Sequence, residues 1–415
     1  MFYDPVFQQN GKDVTLSNLT IKKYFQKKSI LYHLYQRGII SNPEICKLTN
    51  MSSPSVQKIL NELIANQLVR EEGAGQSIGG RRPLLYGLKP EGRFVVGMNI
   101  GHKSTQGAVF NFKNQMIGQV FHLHDHMTNS YDFLDKIAAF IQRMIAETGA
   151  EFTKVLGVGI GLTGLINPAA GMSYSYLNFG EKSVKQILEE KLDKPVFLDN
   201  DARIMALGEY AFGLARGRNH VLSVNIGSGI GLGMILNGRL YQGNSGFAGE
   251  FGHLKLAEDG PLCICGKKGC LETMASGDAL VRIVKEGIEA GKSTKIMQLV
   301  QNDADKITPA FIVEAARQGD QCSIDALSQI GEYLGKGLAS LIHLFNPEAI
   351  ILGGEIAAAK NFIIDPIQNT LNKYTIFQIK SDTTILTSDF GEGSVLYGAL
   401  ALVMENIFED IKKSC

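Results

Sequence analysis

From Ile21 to Arg37 the apolar residues Ile21, Phe25, Ile30, Leu31, Leu34 and Tyr35 fall largely at helical spacing, and Gly38 supplies a stop. Ser41 or Asn42 can cap a short second helix, with Pro43 near its first turn and Ile45 and Leu48 facing inward. After a turn at Thr49-Asn50-Met51, Ser52 or Ser53 caps a third helix with Pro54 in its first turn. In that helix Val56, Ile59, Leu60, Leu63 and Ile64 share one face, a buried stripe. The opposite face offers Ser53, Ser55, Gln57, Lys58 and Asn61, short or amide side chains that suit base edges and phosphates in a major groove. Two strands follow, Leu68–Glu72 and Leu84–Leu88, joined by the glycine-rich stretch Gly73–Gly80 and Arg81-Arg82-Pro83. On that tether Arg81 and Arg82 reach a phosphate backbone or a narrow minor groove. Residues 1–90 are therefore predicted to form a winged helix-turn-helix DNA-binding domain with wing and linker.

Downstream the pattern changes to strand-like and helical runs in alternation. Phe94–Ile100 and Gly107–Phe112 predict a first hairpin, Asp132–Ala146 a helix, Val155–Gly161 a buried strand, Val184–Lys191 a helix and Val196–Leu198 a strand. A helix at Ala202–Phe212 and a second, Gly-punctuated hairpin at Val221–Leu236 come next. Near the end, Gly393–Ile411, with Leu396, Leu400, Val403 and Ile407, predicts a helix that returns to pack on the module.

Charge sharpens the division. The chain of 415 residues balances 41 Lys or Arg against 41 Asp or Glu. Residues 1–93 alone hold thirteen basic residues against seven acidic ones, so the remainder carries the opposite deficit. A small basic module that meets phosphate, joined to a larger one that does not, explains the split. The N-terminus has no basic stretch followed by an apolar run, and the long uncharged stretch Val221–Gly238 is broken by glycines and asparagines. Neither reads as a targeting or membrane segment, which implies a cytoplasmic protein. Of six cysteines, three crowd into Cys263–Cys270, a spacing for metal in a reducing compartment rather than for a disulfide framework. Gly291-Lys292-Ser293 looks like the end of a P-loop, but Glu286 stands where that motif needs its first glycine, so a loop after a helix is expected.

Gly249-Glu250-Phe251-Gly252-His253 is followed by Cys263-Ile264-Cys265-Gly266-Lys267-Lys268-Gly269-Cys270-Leu271-Glu272. Together with Leu198-Asp199-Asn200-Asp201-Ala202, Ile351-Leu352-Gly353-Gly354 and Gly79-Gly80-Arg81-Arg82-Pro83, the chain resembles the ROK family over nearly its whole length. The resemblance is to the sugar-responsive repressor branch, of the N-acetylglucosamine and xylose repressor type, in which a winged helix precedes the module. It implies an α/β, actin/hexokinase-like, two-lobed module built on an internal duplication, a topology that periodicity alone does not give. The first lobe is expected at 91–200 and the second, with a zinc loop, at 201–415.

His253, Cys263, Cys265 and Cys270 would make a closed tetrahedral zinc site, structural because no position is left for water. The resemblance places Asn200, Asp201, Glu250, His253 and Glu272 at the sugar, with Asn178 as a further contact. Carboxylates and amides can grip several hydroxyls, and His253 would ligate zinc through one ring nitrogen while presenting the other to the sugar. In kinases of the family an Asp at the position of Asp201 is the general base. That makes Asp201 catalytic here only if kinase activity is retained. The first hairpin reads Asn99-Ile100-Gly101-His102-Lys103, without the acidic and small residues that hold magnesium and phosphate, while Gly227-Ser228-Gly229-Ile230-Gly231 keeps its glycines. ATP and magnesium are therefore not expected as cofactors. The expected protein is a DNA-binding regulator, a repressor, whose partners are operator DNA and a sugar or sugar derivative. A homodimer or dimer of dimers would set recognition helices ~34 Å apart. The alternative is an ATP-dependent sugar kinase with an accessory DNA-binding head.

Overall fold

The computed structural model describes residues 2–4, 9–11, 18–75 and 82–412. The basic head is built from α1 (Asn18–Arg37), β1 (Ile40–Ser41), α2 (Asn42–Thr49), α3 (Ser53–Ala65), β2 (Val69–Ala74) and β3 (Leu84–Leu88). Ser41 begins α2 with a reciprocal cap: its hydroxyl accepts from Glu44 N, and the Glu44 carboxylate accepts from Ser41 N at 2.8 Å. Asn50 ends that helix in a left-handed conformation. Val56, Ile59, Leu60 and Leu63 of α3 are buried against Ile30, Leu31 and Leu34 of α1 and Ile45 of α2, which makes the head's core. Strands pair in the order β1-β3-β2, leaving β2 and β3 to carry the wing. Two apolar positions of α1 depart from expectation, since Ile21 and Phe25 are exposed, and Ile64 is only half-buried. At 20 residues α1 outruns the 8-residue α2 and 13-residue α3 that cover it.

Two five-stranded sheets follow. The first joins β4 (Phe94–Ile100), β5 (Thr105–Asn111), β6 (Met116–Leu123), β7 (Val155–Leu162) and β8 (Val196–Asn200) in the order β8-β7-β4-β5-β6, with α4 (Tyr131–Glu147) and α5 (Val184–Leu192) between strands. After α6 (Asp201–Phe212), the second sheet joins β9 (Val221–Ile226), β10 (Ile230–Leu236), β11 (Arg239–Leu240), β12 (Ala349–Gly353) and β13 (Thr384–Thr387) in the order β11-β10-β9-β12-β13. Each sheet is an antiparallel three-strand meander to which two later strands add beside its first strand. This is the internal duplication of an actin/hexokinase-like module. Between β11 and β12 lie α7 (Leu271–Ala275), α8 (Gly277–Glu289), α9 (Pro309–Arg317) and α10 (Gln321–Phe345), and α11 (Asn361–Tyr374) precedes β13. Their apolar faces share one core with β9, β10 and β12 through Val224, Leu232, Leu280, Leu334, Leu338 and Leu352. The Gly-Lys-Ser stretch at 291–293 is the loop after α8, as its sequence predicts.

The chain divides into two compact units. One holds residues 1–160, 171–198 and 399–415, so the head clusters with the first sheet; the other holds 161–170 and 199–398. The expected C-terminal helix is two helices, α12 (Ser394–Ile407) and α13 (Glu409–Lys412), separated at Phe408. Phe408 is buried, and its ring meets those of Tyr32 and Tyr35 of α1, each at 5.6 Å. Beside it the buried Lys28 donates to Asp410 at 2.8 Å and to the Tyr24 hydroxyl at 3.0 Å. A second pair ties the head to the first sheet, Lys113 with Glu72 at 2.7 Å.

Candidate functional site

The head presents Ser53, Ser55, Lys58 and Asn61 on the exposed face of α3, opposite the buried stripe. Gln57, expected among them, is half-buried, and its amide is engaged within the head. It accepts from Asn42 Nδ2 at 3.0 Å and donates to Asn61 Oδ1 at 3.0 Å and the Tyr86 hydroxyl at 3.2 Å. Gln57 thereby ties α2, α3 and β3 together, a role that the helical pattern did not signal. Ser53 Oγ donates to Asn42 Oδ1 at 3.1 Å, while Ser55 and Ser52 hydroxyls share a 2.9 Å bond. Arg82 is exposed at the foot of the wing, and Arg81 lies outside the described residues.

The other cluster belongs to the second unit. β8 delivers Asp199, Asn200 and Asp201 to the first turn of α6. Close approach of that helix to β10 needs glycine there: a Cβ on Gly233 would lie 2.5 Å from Ala202 O. Asn200 caps α6, its Oδ1 accepting from Ala202 N at 3.0 Å and Arg203 N at 3.3 Å, and its Nδ2 donates to Gly164 O at 3.1 Å. Much of its amide capacity is thus spent on the backbone.

Asp201 is half-buried, and burial raises its carboxyl above the ordinary range; Glu272 adds to the rise, against the Ala202 N–H and Arg203. Glu250, next to the short turn Phe251–His253, is raised by the same means: burial first, opposed by His253 and Arg203 and reinforced by Glu272 and Asp201. Mutual influence among these groups follows from their convergence. Glu272, in the first turn of α7, accepts from Ile230 N at 3.1 Å, and a Cβ on Gly229 would lie 2.5 Å from its Oε2. The carboxylate therefore sits directly on the glycine hairpin. Asn178 belongs to the other unit, where its carbonyl accepts from Asn129 at 3.1 Å.

Behind these groups lies a buried ion pair whose cation the sequence reading missed. Arg203, fully buried, donates through Nε to Asp199 at 2.7 Å and through its terminal nitrogens to Ile166 O at 2.9 Å and Ala248 O at 3.4 Å. Gln242 donates to the second Asp199 oxygen at 3.1 Å. One guanidinium thus holds the strand end, the 161–170 segment and the loop leading to Glu250. The signal was available: an Asp and an Arg four apart at the mouth of an apolar helix.

His253, Cys263, Cys265 and Cys270 bring four donor atoms within 4.8 Å of one another. Cys263 Sγ is 3.5 Å from His253 Nδ1, and Cys265 Sγ is 3.6 Å from Cys270 Sγ. A tetrahedral thiolate site with metal–sulfur bonds of ~2.3 Å has edges of about 3.8 Å, so the spacing fits a metal ion. Cys263 and Cys270 are buried, and burial pushes the Cys270 thiol up to about 12. A bound cation reverses that penalty by favouring thiolate. His253 turns Nδ1 to the cysteines and leaves Nε2 3.8 Å from Glu250 Oε2.

Residues 95–406 match the ROK family, and residues 26–70 match a winged helix-turn-helix DNA-binding family. The chain belongs to the ROK family. Relatives span nearly all of this ROK protein. A xylose repressor of Caldicellulosiruptor bescii is 28% identical, covering 94% of this chain and 98% of its own length. The DNA-binding transcriptional dual regulator NagC of Escherichia coli is 26% identical, with 97% of both chains covered. A solved ROK transcriptional regulator, a homologue of the E. coli Mlc protein, superposes with a TM-score of 0.76 at 28% identity over 94% of this chain and 97% of its own. A ROK glucokinase from Streptomyces griseus, solved with glucose and AMPPNP, gives 0.68 at 30% identity, covering 74% of this chain and 97% of its own. The architecture is thus that of the repressor-type ROK proteins, a winged helix ahead of the module, and the kinases match a smaller share of it.

Proposed function

We propose that this ROK protein is a transcriptional repressor that binds operator DNA through its head and releases it when a sugar or sugar derivative binds the second unit. The observation that carries the reading is the convergence of Asp201, Glu250 and Glu272 beside the His/Cys cluster, in a chain that also presents an exposed polar face on α3. Carboxylates held in partly buried surroundings accept from sugar hydroxyls and discriminate against ligands that cannot donate. Asn200 and His253 complete the proposed sugar set. The four-donor cluster holds zinc in a closed, structural site, linked to the ligand through His253 and Glu250.

Base and phosphate contacts fall to Ser53, Ser55, Lys58, Asn61, Arg81 and Arg82, with Gln57 holding the reading helix in place. The three functional parts are 1–90, 91–200 and 201–415, and the working form is a cytoplasmic homodimer or dimer of dimers on a palindromic site. Relatives matched over nearly their whole length, one named a xylose repressor and one a DNA-binding transcriptional dual regulator, support this reading. Catalysis is not part of it, because Asn99 leaves the first hairpin without a carboxylate for magnesium.

A gel-shift assay on upstream DNA of its own operon, with a library of hexoses and pentoses, tests the reading. One sugar is expected to weaken DNA binding at least roughly tenfold, a coupling within the usual allosteric range. Replacing Lys58 and Arg82 together by alanine should abolish the shift without altering sugar binding. Magnesium-ATP turnover at ordinary enzymatic rates, lost in Asp201→Asn, would instead make the protein a kinase.

A further inference from the structure

The outermost strand of the first sheet, β6, runs out through Phe121-His122-Leu123-His124-Asp125-His126-Met127. Three of the chain's eight histidines stand in this short run, at every second position. Successive side chains of an extended chain point to opposite faces, so the alternation gathers His122, His124 and His126 on one side. Burial follows the same period. The three histidines are exposed, Phe121, Leu123 and Asp125 are half-buried, and Met127 is buried. Backbone pairing holds the run extended at both ends: His122 lies opposite Gln106, Leu123 lies opposite Thr105, and Met127 N donates to His102 O at 3.0 Å. The sheet edge therefore fixes which side chains share a face.

Two of the three rings already stand side by side. The imidazoles of His122 and His124 are parallel to within 7°, with centroids 6.0 Å apart. Asp125, the single carboxylate of the run, turns to the opposite side, where Lys136 donates to it at 2.8 Å. The exposed side of the run thus offers nitrogen donors and no carboxylate of its own. Neutral imidazole is a common ligand of copper, nickel and zinc, whereas magnesium and calcium select oxygen. Residues two apart on a strand stand ~6.7 Å apart at Cα. An imidazole–metal bond is ~2.0–2.1 Å, so both side chains reach one ion by turning toward each other about χ1 and χ2. Both rings are exposed, and that turn displaces mainly water.

We propose that His122 and His124 chelate a divalent transition-metal ion of the nickel or copper class at the free edge of the first sheet. Two protein nitrogens leave the remaining coordination positions to water, so this site is open and exchangeable, unlike the closed His/Cys cluster. It belongs to the first unit, whereas His253, Cys263, Cys265 and Cys270 belong to the second. His126 stands one step further along the same face and is not needed for the chelate.

Calorimetry with nickel chloride on the full chain, free of any affinity tag and with its zinc content followed by metal analysis, tests the site. Saturable binding at one nickel per chain, with zinc content unchanged, is expected. His122→Asn and His124→Asn, both exposed changes that leave the core alone, should each weaken binding at least about tenfold, since each removes one of two ligands. His126→Asn should leave it within about threefold, the chelate pair being intact. Absence of saturable binding, or binding that survives His122→Asn or His124→Asn, overturns the proposal. Zinc released in step with nickel uptake assigns the ion to the His/Cys cluster and overturns it too. Equal loss in His126→Asn makes the run an unspecific histidine tract, with the same consequence.

Discussion

The tips of two equivalent hairpins differ, although the sheets that carry them share one strand order. Between β4 and β5 the turn closes with Gly101 N donating to Ser104 O at 3.0 Å, and His102 and Lys103 stand exposed above it. The His102 ring rests 5.5 Å from that of Tyr176. Between β9 and β10 the tip is Gly227-Ser228-Gly229, and other elements grip it. Gly277 N donates to Gly227 O at 2.7 Å, and Glu272 accepts from Ile230 N at 3.1 Å. Strands buried on both faces keep their topology through duplication, but tips are constrained only by what touches them. One tip carries His102 and Lys103 in place of residues suited to phosphate, while the other is held by a carboxylate two residues beyond Cys270 of the four-donor cluster.

Severing that attachment should produce the largest effect. Cys270→Ser is expected to eliminate bound zinc, measured by metal analysis, and to cost several kcal/mol, given that structural zinc contributes ~10 kcal/mol or more in small domains. Hydrogen exchange should show lost protection in β9–β10 and retained protection in β4–β5; equal loss in both hairpins would erase the contrast. Arg203→Leu comes next, at about 3–5 kcal/mol in urea unfolding, because Asp199 is left buried and unpaired. Adding Asp199→Asn should recover part of that loss. Gly229→Ala forces a methyl against Glu272 and should cost about 1–3 kcal/mol, whereas Lys103→Ala on the other tip should stay within about 0.5 kcal/mol. The smallest change has the opposite sign. Asp201→Asn removes a carboxylate whose pKa burial raises, so at neutral pH it should stabilise the fold by up to about 1 kcal/mol while weakening sugar binding. The wild-type penalty exists above the raised pKa and fades as pH falls through it, so the variant's advantage should vanish in acid.

Legibility in the sequence followed the same division between periodic and irregular parts. The stripe Val56, Ile59, Leu60 and Leu63 could be read because helical period and burial coincide. Cysteine spacing pointed to the four-donor cluster because few other uses crowd three thiols beside a histidine. Gln57 was placed on the DNA face by its helical position, yet its bonds run to Asn42 and Tyr86, partners that only tertiary structure brings near. Asn200 was read through its amide chemistry, although an Asn directly before a helix equally signals a cap. Strand order was beyond periodicity altogether, since β12 adds beside β9 across more than a hundred residues. There the family resemblance supplied what local pattern lacks.

The contact of Lys28 with Asp410 spans 382 positions of sequence. Ribosomes add ~5–20 residues per second, so α1 is made about 20–80 s before its dock on Phe408 and Asp410. During that interval α1 lacks the Phe408 ring that packs on Tyr32 and Tyr35. A chain interrupted before residue 408 leaves α1 without that packing. Docking of the head thus reports, within the molecule, that translation has reached its last helices.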